Sequence, residues 1–583
     1  MELKHLDQLT PVETIADDDA IVGIFNSDIN IAKVEDIAEA AGNILIDGNK
    51  VATPESVAQA IVNAEDARQY GVCINHATGS PTLERIGAAV GLKAEVATGD
   101  STPVNDFDYI YPYSEMRKCT LADDGTVTAY EGEPTYKEDG SIGQVMVEIP
   151  KFYIRRFVDA TTNKEYIYIC KKKLEGYALP ECFKDRDGNE NDYVYIAAYL
   201  AYNDDDEENP RAWCVAGKEL SDLPSCKHDN YYKAIGNRAG HNEDEESEEL
   251  YLHPWHNLDV HEMCMLQMLF MVEFATTDSE SIFGGMYRDY GTEYKLIDAT
   301  SAAQATNTFT CVESLSKKDR IDIGDTIAIK LALDYDITPE EGAVRDEYEE
   351  EGVTHFIWEV KRKVTSVTDT EETRTIIFDG VPVTLDANSS FKKVGYFTGC
   401  TNEIKASSGN LWADEAERDN VPFVWRGFEN FFSCFYTWVS GILISKNTDG
   451  GTYRVTSNLN LYGNTGSILD YADSGQKPHA TDFTAEMTFD KNNPLLMVPV
   501  KGGATDADGY CDKFTLAISP ANVKCYRFGG TGVGQGGLFA AYASLSGGAA
   551  RCRLAYHLYY GGTGGQRPPA VYIFENRFGT KLI

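Results

Sequence analysis

Three things are missing from this chain, and each absence narrows what it can be. No run of about 18 apolar residues occurs in the 583-residue sequence, so no membrane-spanning helix is expected. No CxxC pair occurs among its 13 cysteines, which fall singly from Cys73 to Cys552. Such a dilute, odd-numbered set is not a disulfide scaffold. Its members are expected to be small buried hydrophobes of a protein folded in a reducing cell. The third absence is the sharpest: residues 513–574 contain no Asp or Glu, in a chain that carries 92 acidic residues. That window holds six cations (Lys513, Lys524, Arg527, Arg551, Arg553 and Arg567), so it is locally basic in a chain of net charge −40.

What is present describes a globular protein. Hydrophobic residues make up 43% and aromatics 11%, enough for a substantial core and too much for general disorder. The length fits about two to four domains. The acidic excess repels phosphate backbones and anionic lipid, so neither nucleic-acid binding nor membrane insertion is expected. The first residues, MELKHLDQLTPVETIADDD, contain no apolar core of a secretory signal. A protein of this kind that acts outside the cell is expected to leave by lysis or on a particle.

Along the chain the signals change character. Segments 19–26 and 30–34 alternate as short strands, 34–42 reads as a helix, and a second helix opens at Thr53 with Pro54 in its first turn and runs out near Tyr70. TLERIGAAVGL (82–92) reads as a third short helix. From Tyr113 the pattern is strand-rich: GQVMVEIPKFYIRRF, KEYIYICKK and DYVYIAAY are β-forming, with a turn at 160–163. Asp259 followed by Glu262 forms a capping box ahead of VHEMCMLQMLFMVEFA, which is apolar nearly all round and predicts a buried central helix. Residues 307–390 read as an all-β insertion with an acidic loop, RDEYEEEG. WRGFENFFSCFYTWVSGILI spaces Phe428, Phe431, Phe432, Phe435 and Val439 as a second core helix leading into a strand.

Two local patterns invite metal chemistry, and both favour a plainer reading. Asp185, Asp187 and Asn189 begin like a calcium loop, but the later ligands are missing, which leaves a turn. His253, His256, His261 and Cys264 cluster near the central helix. Zinc needs four converging ligands and only His261 and Cys264 share a helical face, so core roles are expected and no metal or cofactor is assigned.

Four segments in order carry a resemblance: VMVEIPKFYIRRF, NLDVHEMCMLQMLFMVEFA, WRGFENFFSCFYTWVSGI, and YRFGGTG…GLF…RCRL. Together they resemble the C-type-lectin-type fold of formylglycine-generating enzymes and retroelement-diversified receptor-binding proteins of phage tails. The resemblance covers about residues 113–560. It departs where Gly529-Gly530 is followed by TGVGQG rather than a nearby Trp, where Arg551-Cys552-Arg553-Leu554 replaces Gly-Phe-Arg, and in an extra C-terminal stretch. It implies an α+β fold: a C-type-lectin-like domain with an inserted all-β module and a small α/β N-terminal module. The implied boundaries are 1–70 for attachment or oligomerisation, 71–112 for a helix and linker, 113–300 and 391–583 for the two parts of the lectin-like domain, and 301–390 for the insertion.

The resemblance also implies a function: a non-enzymatic tail-fibre or tail-tip protein of the virion, made in the host cytoplasm and binding a bacterial surface receptor, glycan or protein. The implied receptor-binding residues are Thr531, Val533, Gln535, Ala541, Tyr542, Ser544, Leu545, Arg551, Tyr556, His557, Tyr559 and Tyr560, with Arg553 structural. Tyr-rich, Gly- and Ser-rich surfaces suit this task, because Tyr offers contact area at little rotamer cost. Each of those Tyr residues reads equally well as core, and the window as tight strands and turns. A homotrimer, docking to other tail proteins through the N-terminal module, is implied as well. Two enzymatic alternatives stand beside this. A tail-associated glycan depolymerase needs paired carboxylates, which the window lacks. A formylglycine-generating-type oxidase needs two close cysteines, for which Cys525 and Cys552 are the pair in the window.

Overall fold

Strand-forming segments recur along the chain, and the architecture follows them. The computed structural model describes residues 44–46, 50–52 and 63–556, the last apart from short internal segments of which the longest are 221–233, 236–254, 285–293, 313–320, 333–343 and 411–421. Strand accounts for 46% of the structure and helix for 11%. The α+β, C-type-lectin-like class expected from the sequence is therefore corrected: the protein is β-rich, with several sheets gathered around one long buried helix.

That helix spans Val260–Phe274, and every one of its residues is buried. Its start is fixed locally. The Asp259 side chain accepts hydrogen bonds from the backbone N–H of His261 and Glu262, while the Glu262 carboxylate accepts from the Asp259 N–H. Its apolar surface packs against sheets on several sides, which is why it shows no amphipathic stripe.

Three sheets surround it. A four-stranded sheet runs Glu84–Gly87, Tyr70–Asn75, Lys164–Cys170, Tyr153–Asp159. A six-stranded sheet runs Trp255–Asn257, Leu554–Tyr556, Tyr193–Ala197, Gln144–Pro150, Arg117–Leu121, Val127–Tyr130. Its second strand comes from near the far end of the chain, with Tyr556 paired to both Trp255 and Tyr195. An eight-stranded sheet contains Thr437–Ser445, Val523–Phe528, Ala541–Ser544 and Lys513–Leu516 as consecutive neighbours. The segment read as an all-β insertion builds a separate sheet over its own core of Phe309, Cys311, Ile327, Ile329, Val364, Ile376 and Phe391. That sheet also takes in Glu219–Leu220, which pairs with Tyr396 and Phe397.

Three segments depart from the expected local structure, and the departures account for the change of class. Residues 82–92 contain the strand Glu84–Gly87 instead of a helix. Gly87 adopts φ +61°, and a Cβ there would lie 2.4 Å from the Gln69 carbonyl, so backbone closeness overrides the helical spacing. The acidic stretch expected as a loop is the strand Val344–Glu350, paired with Val353–Asp369. In the third, the expected second core helix is a tight hairpin of Phe423–Trp425 and Phe428–Glu429. Arg426 and Gly427 both have positive φ, +49° and +86°, the requirement of a hairpin turn whose twist matches its strands. The Phe spacing that looked helical serves burial: Phe428, Phe431 and Phe432 are all in the core, and Phe432 meets Phe270 of the central helix edge-on.

The expected strands at 19–34 and helix at 34–42 lie outside the described residues, as does the second helix apart from its last turn at 63–66. Residues 185–188 of the calcium-like pattern lie outside them too.

Candidate functional site

The acid-free window supplies four strands, and three of them are neighbours in one sheet. At its centre is Val523–Phe528, flanked by Thr437–Ser445 and Ala541–Ser544. Alternation splits its side chains between two faces. Tyr526 and Phe528 join the main core with Val439, Ala541 and Ala543. Arg527 points to the opposite face, where the register sets it beside Trp438 on one side and Tyr542 on the other.

There the guanidinium is surrounded by rings. Its carbon lies 4.5 Å from the Tyr542 ring centre, 5.0 Å from that of Tyr436 and 5.0 Å from that of Trp438. Its Nη2 donates to Ser544 Oγ at 2.8 Å. Tyr436 and Tyr542 meet edge-to-face at 5.5 Å. Burial lowers the Arg527 pKa from its ordinary value, opposed by the two tyrosines. Burial also raises that of Tyr436. Ring faces are the negative side of an aromatic quadrupole, so a cation held among three rings is stabilised by them.

Arg551 is laid against the same edge. Its backbone accepts from the Trp438 N–H at 2.8 Å and donates to the Tyr436 carbonyl at 2.7 Å, and its guanidinium stands 4.9 Å over Phe435. The structure thus brings three of the twelve expected residues, Tyr542, Ser544 and Arg551, around Tyr436 and Trp438. Of the three, Tyr542 is the part-exposed one, and Tyr436 is part-exposed beside it. Ala541, Ser544, Arg551 and Tyr556 are covered by protein. Tyr556 is part of the six-stranded sheet, wedged 5.0 Å from the Trp255 ring with its hydroxyl donating to the Asp124 carbonyl. Thr531, Val533, Gln535, Leu545, His557, Tyr559 and Tyr560 lie outside the described residues. Arg553 is buried and holds carbonyls: its Nη1 donates to Ala197 and Ala198, and its Nη2 to Glu429.

Sequence reasoning missed Tyr436 and Trp438, because the segment was read at helical period. Read at period two, FYTWVS places both on one strand face, and that was the available signal.

The other chemistry-bearing groups are interior. All eleven described cysteines are buried, Cys525 and Cys552 among them. Burial raises the Cys182 thiol well above its ordinary value and pushes Cys311 up to about 11, so these are packed thiols rather than reactive thiolates. The Cys264 sulfur meets the backbone of Met497, donating to its carbonyl at 3.4 Å and accepting from its N–H at 3.1 Å. His256 turns to Glu262, with Nε2 to Oε1 at 3.1 Å.

The chain matches no protein family, curated protein or solved structure. The site is therefore read from its own geometry: a cation backed by aromatic rings, two of them part-exposed, on a sheet to which the acid-free window gives three neighbouring strands.

Proposed function

We propose that this chain is a bacteriophage tail protein that binds a receptor on the bacterial host surface through its acid-free C-terminal face, within about 526–566. The observation that carries the reading is the convergence of Arg527, Tyr436, Trp438 and Tyr542 on one sheet face of a chain with net charge −40. Bacterial envelopes are anionic. The acidic body is repelled by such a surface while the basic window is drawn to it, so the field turns this face toward the cell. Tyr rings then supply flat amphipathic contact for sugar rings or protein side chains at small entropic cost. In this reading the protein is carried on the virion, its N-terminal module docks to other tail proteins, and three copies give avidity.

The test uses the full chain, fluorescently labelled, against a panel of bacterial strains. Replacing both Tyr436 and Tyr542 by Ala is expected to weaken cell binding at least tenfold, since aromatic anchors at interfaces carry about 2 kcal/mol or more. Circular dichroism checks that the variant is folded. Equal binding by the folded variant refutes this face, and a wild-type protein that binds no strain refutes the receptor reading.

A further inference from the structure

We propose that His256, Asp259 and Glu262 form a divalent-metal site of the zinc class at the N-terminus of the central helix. One ligand atom from each of the three lies within 4.8 Å of the others, and all three residues are buried. The capping box explains only half of their chemistry. Asp259 Oδ1 accepts from the N–H groups of His261 and Glu262, each at 2.8 Å, and Glu262 Oε2 accepts from the Asp259 N–H at 2.9 Å. The cap thus fixes both carboxylates while committing one oxygen of each. The second oxygens turn to other partners: Glu262 Oε1 to His256 Nε2 at 3.1 Å, and Asp259 Oδ2 to the Tyr462 hydroxyl at 2.6 Å.

Backbone pairing holds the residues that carry these atoms. His256 sits on Trp255–Asn257, paired to Ala555 of the C-terminal strand, and Asp259 bridges to Ser440. Two carboxylates and one imidazole, removed from water together, carry a net negative charge unless a proton or a cation joins them. A divalent cation balances both carboxylates and leaves the imidazole neutral, the form in which it ligates. Mixed imidazole and carboxylate donors favour zinc, whereas calcium and magnesium prefer oxygen alone. Zinc–ligand bonds of about 2.0–2.2 Å place tetrahedral ligands about 3.4 Å apart, so small side-chain rotations close the present spacing. The fourth position falls to water, with Tyr462 orienting the Asp259 carboxylate from outside as outer-shell partners do.

The test strips the full chain with a chelator, exposes it to Zn2+, and measures retained metal after gel filtration together with Tm. One zinc per chain and an upward shift in Tm are expected, both lost in His256→Gln, with no shift from Mg2+ or Ca2+. Zinc retention unchanged in His256→Gln, or no retention by the wild type, overturns the site. Should that variant fail to fold, X-ray absorption at the zinc edge of the wild type decides instead. One imidazole with oxygen ligands supports the proposal, and sulfur or several imidazoles overturns it.

Discussion

Replacing Glu273 by Gln tests the idea that one buried carboxylate ties the central helix to the hairpin leading into the candidate site. Glu273 is fully buried and accepts four hydrogen bonds. Its Oε1 takes Asn105 Nδ2 at 2.8 Å and Arg426 through Nε at 3.0 Å and Nη2 at 2.6 Å, while Oε2 takes Trp425 Nε1 at 2.8 Å. Every partner is a donor. A Gln amide brings one acceptor oxygen and one NH2, so in either orientation a donor faces a donor. Arg426 also loses its buried counter-charge and keeps only Asp108, at 2.6 Å. Breaking a buried pair from one side costs about 3–5 kcal/mol. Gln keeps the shape and part of the hydrogen bonding, so about 3 kcal/mol is expected.

Hydrogen exchange read by mass spectrometry follows the loss locally, which suits a chain too large for one global unfolding transition. Amides of Val260–Phe274 and Phe423–Glu429 should exchange about a hundredfold faster, at 1.4 kcal/mol per tenfold. The surface variant Lys501→Ala, which breaks the exposed pair with Glu486, should change exchange there by less than about threefold. Glu273→Gln exchanging like the wild type would refute the reasoning.

Three further outcomes follow from particular contacts. Burial works to raise the pKa of Glu165, but the Arg156 guanidinium and His76 outweigh it and hold the carboxyl below its ordinary 4.5. Its contribution to stability is therefore present above pH 4.5 and lost as pH falls through the lower folded value, which melting curves from pH 6 down to about pH 3 would show as a falling Tm. Gly125→Ala should destabilise the protein by at least about 1 kcal/mol more than Gly132→Ala, measured by chemical denaturation. Both positions have positive φ, but a Cβ at 125 would lie 1.8 Å from the Tyr556 hydroxyl, whereas one at 132 meets nothing within 4 Å. Of the 13 cysteines, the eleven described ones are buried, so a thiol reagent should label at most Cys226 and Cys434 quickly in the native protein and all thirteen in denaturant. Rapid labelling of more than two overturns that packing.

Much of the local structure was legible in advance where residues one to four apart decide it. The Asp259–Glu262 cap, the helix it opens, the strand pair around 160–163 and the basic window are properties of neighbouring residues, and the structure has them where the sequence put them. The Phe-rich segment shows the limit. Its burial was readable from composition, but its hairpin depends on positive φ at Arg426 and Gly427 and on an Asn430 side chain that accepts from the Phe423 N–H at 3.0 Å. Helical spacing of apolar residues is also what a twice-turned strand shows when each turn resets the alternation.

The sequence by itself determined an acidic, cysteine-dilute, strand-forming chain with a capped, largely apolar helix and an acid-free stretch. Tertiary structure alone decided that Arg527 meets Tyr436 and Trp438, which lie about ninety residues away, and that Leu554–Tyr556 enters a sheet between strands from the first half of the chain. The reason is physical. A strand's own residues fix which faces it presents, but its hydrogen-bond partners are chosen by other strands, and no local period records which ones they are.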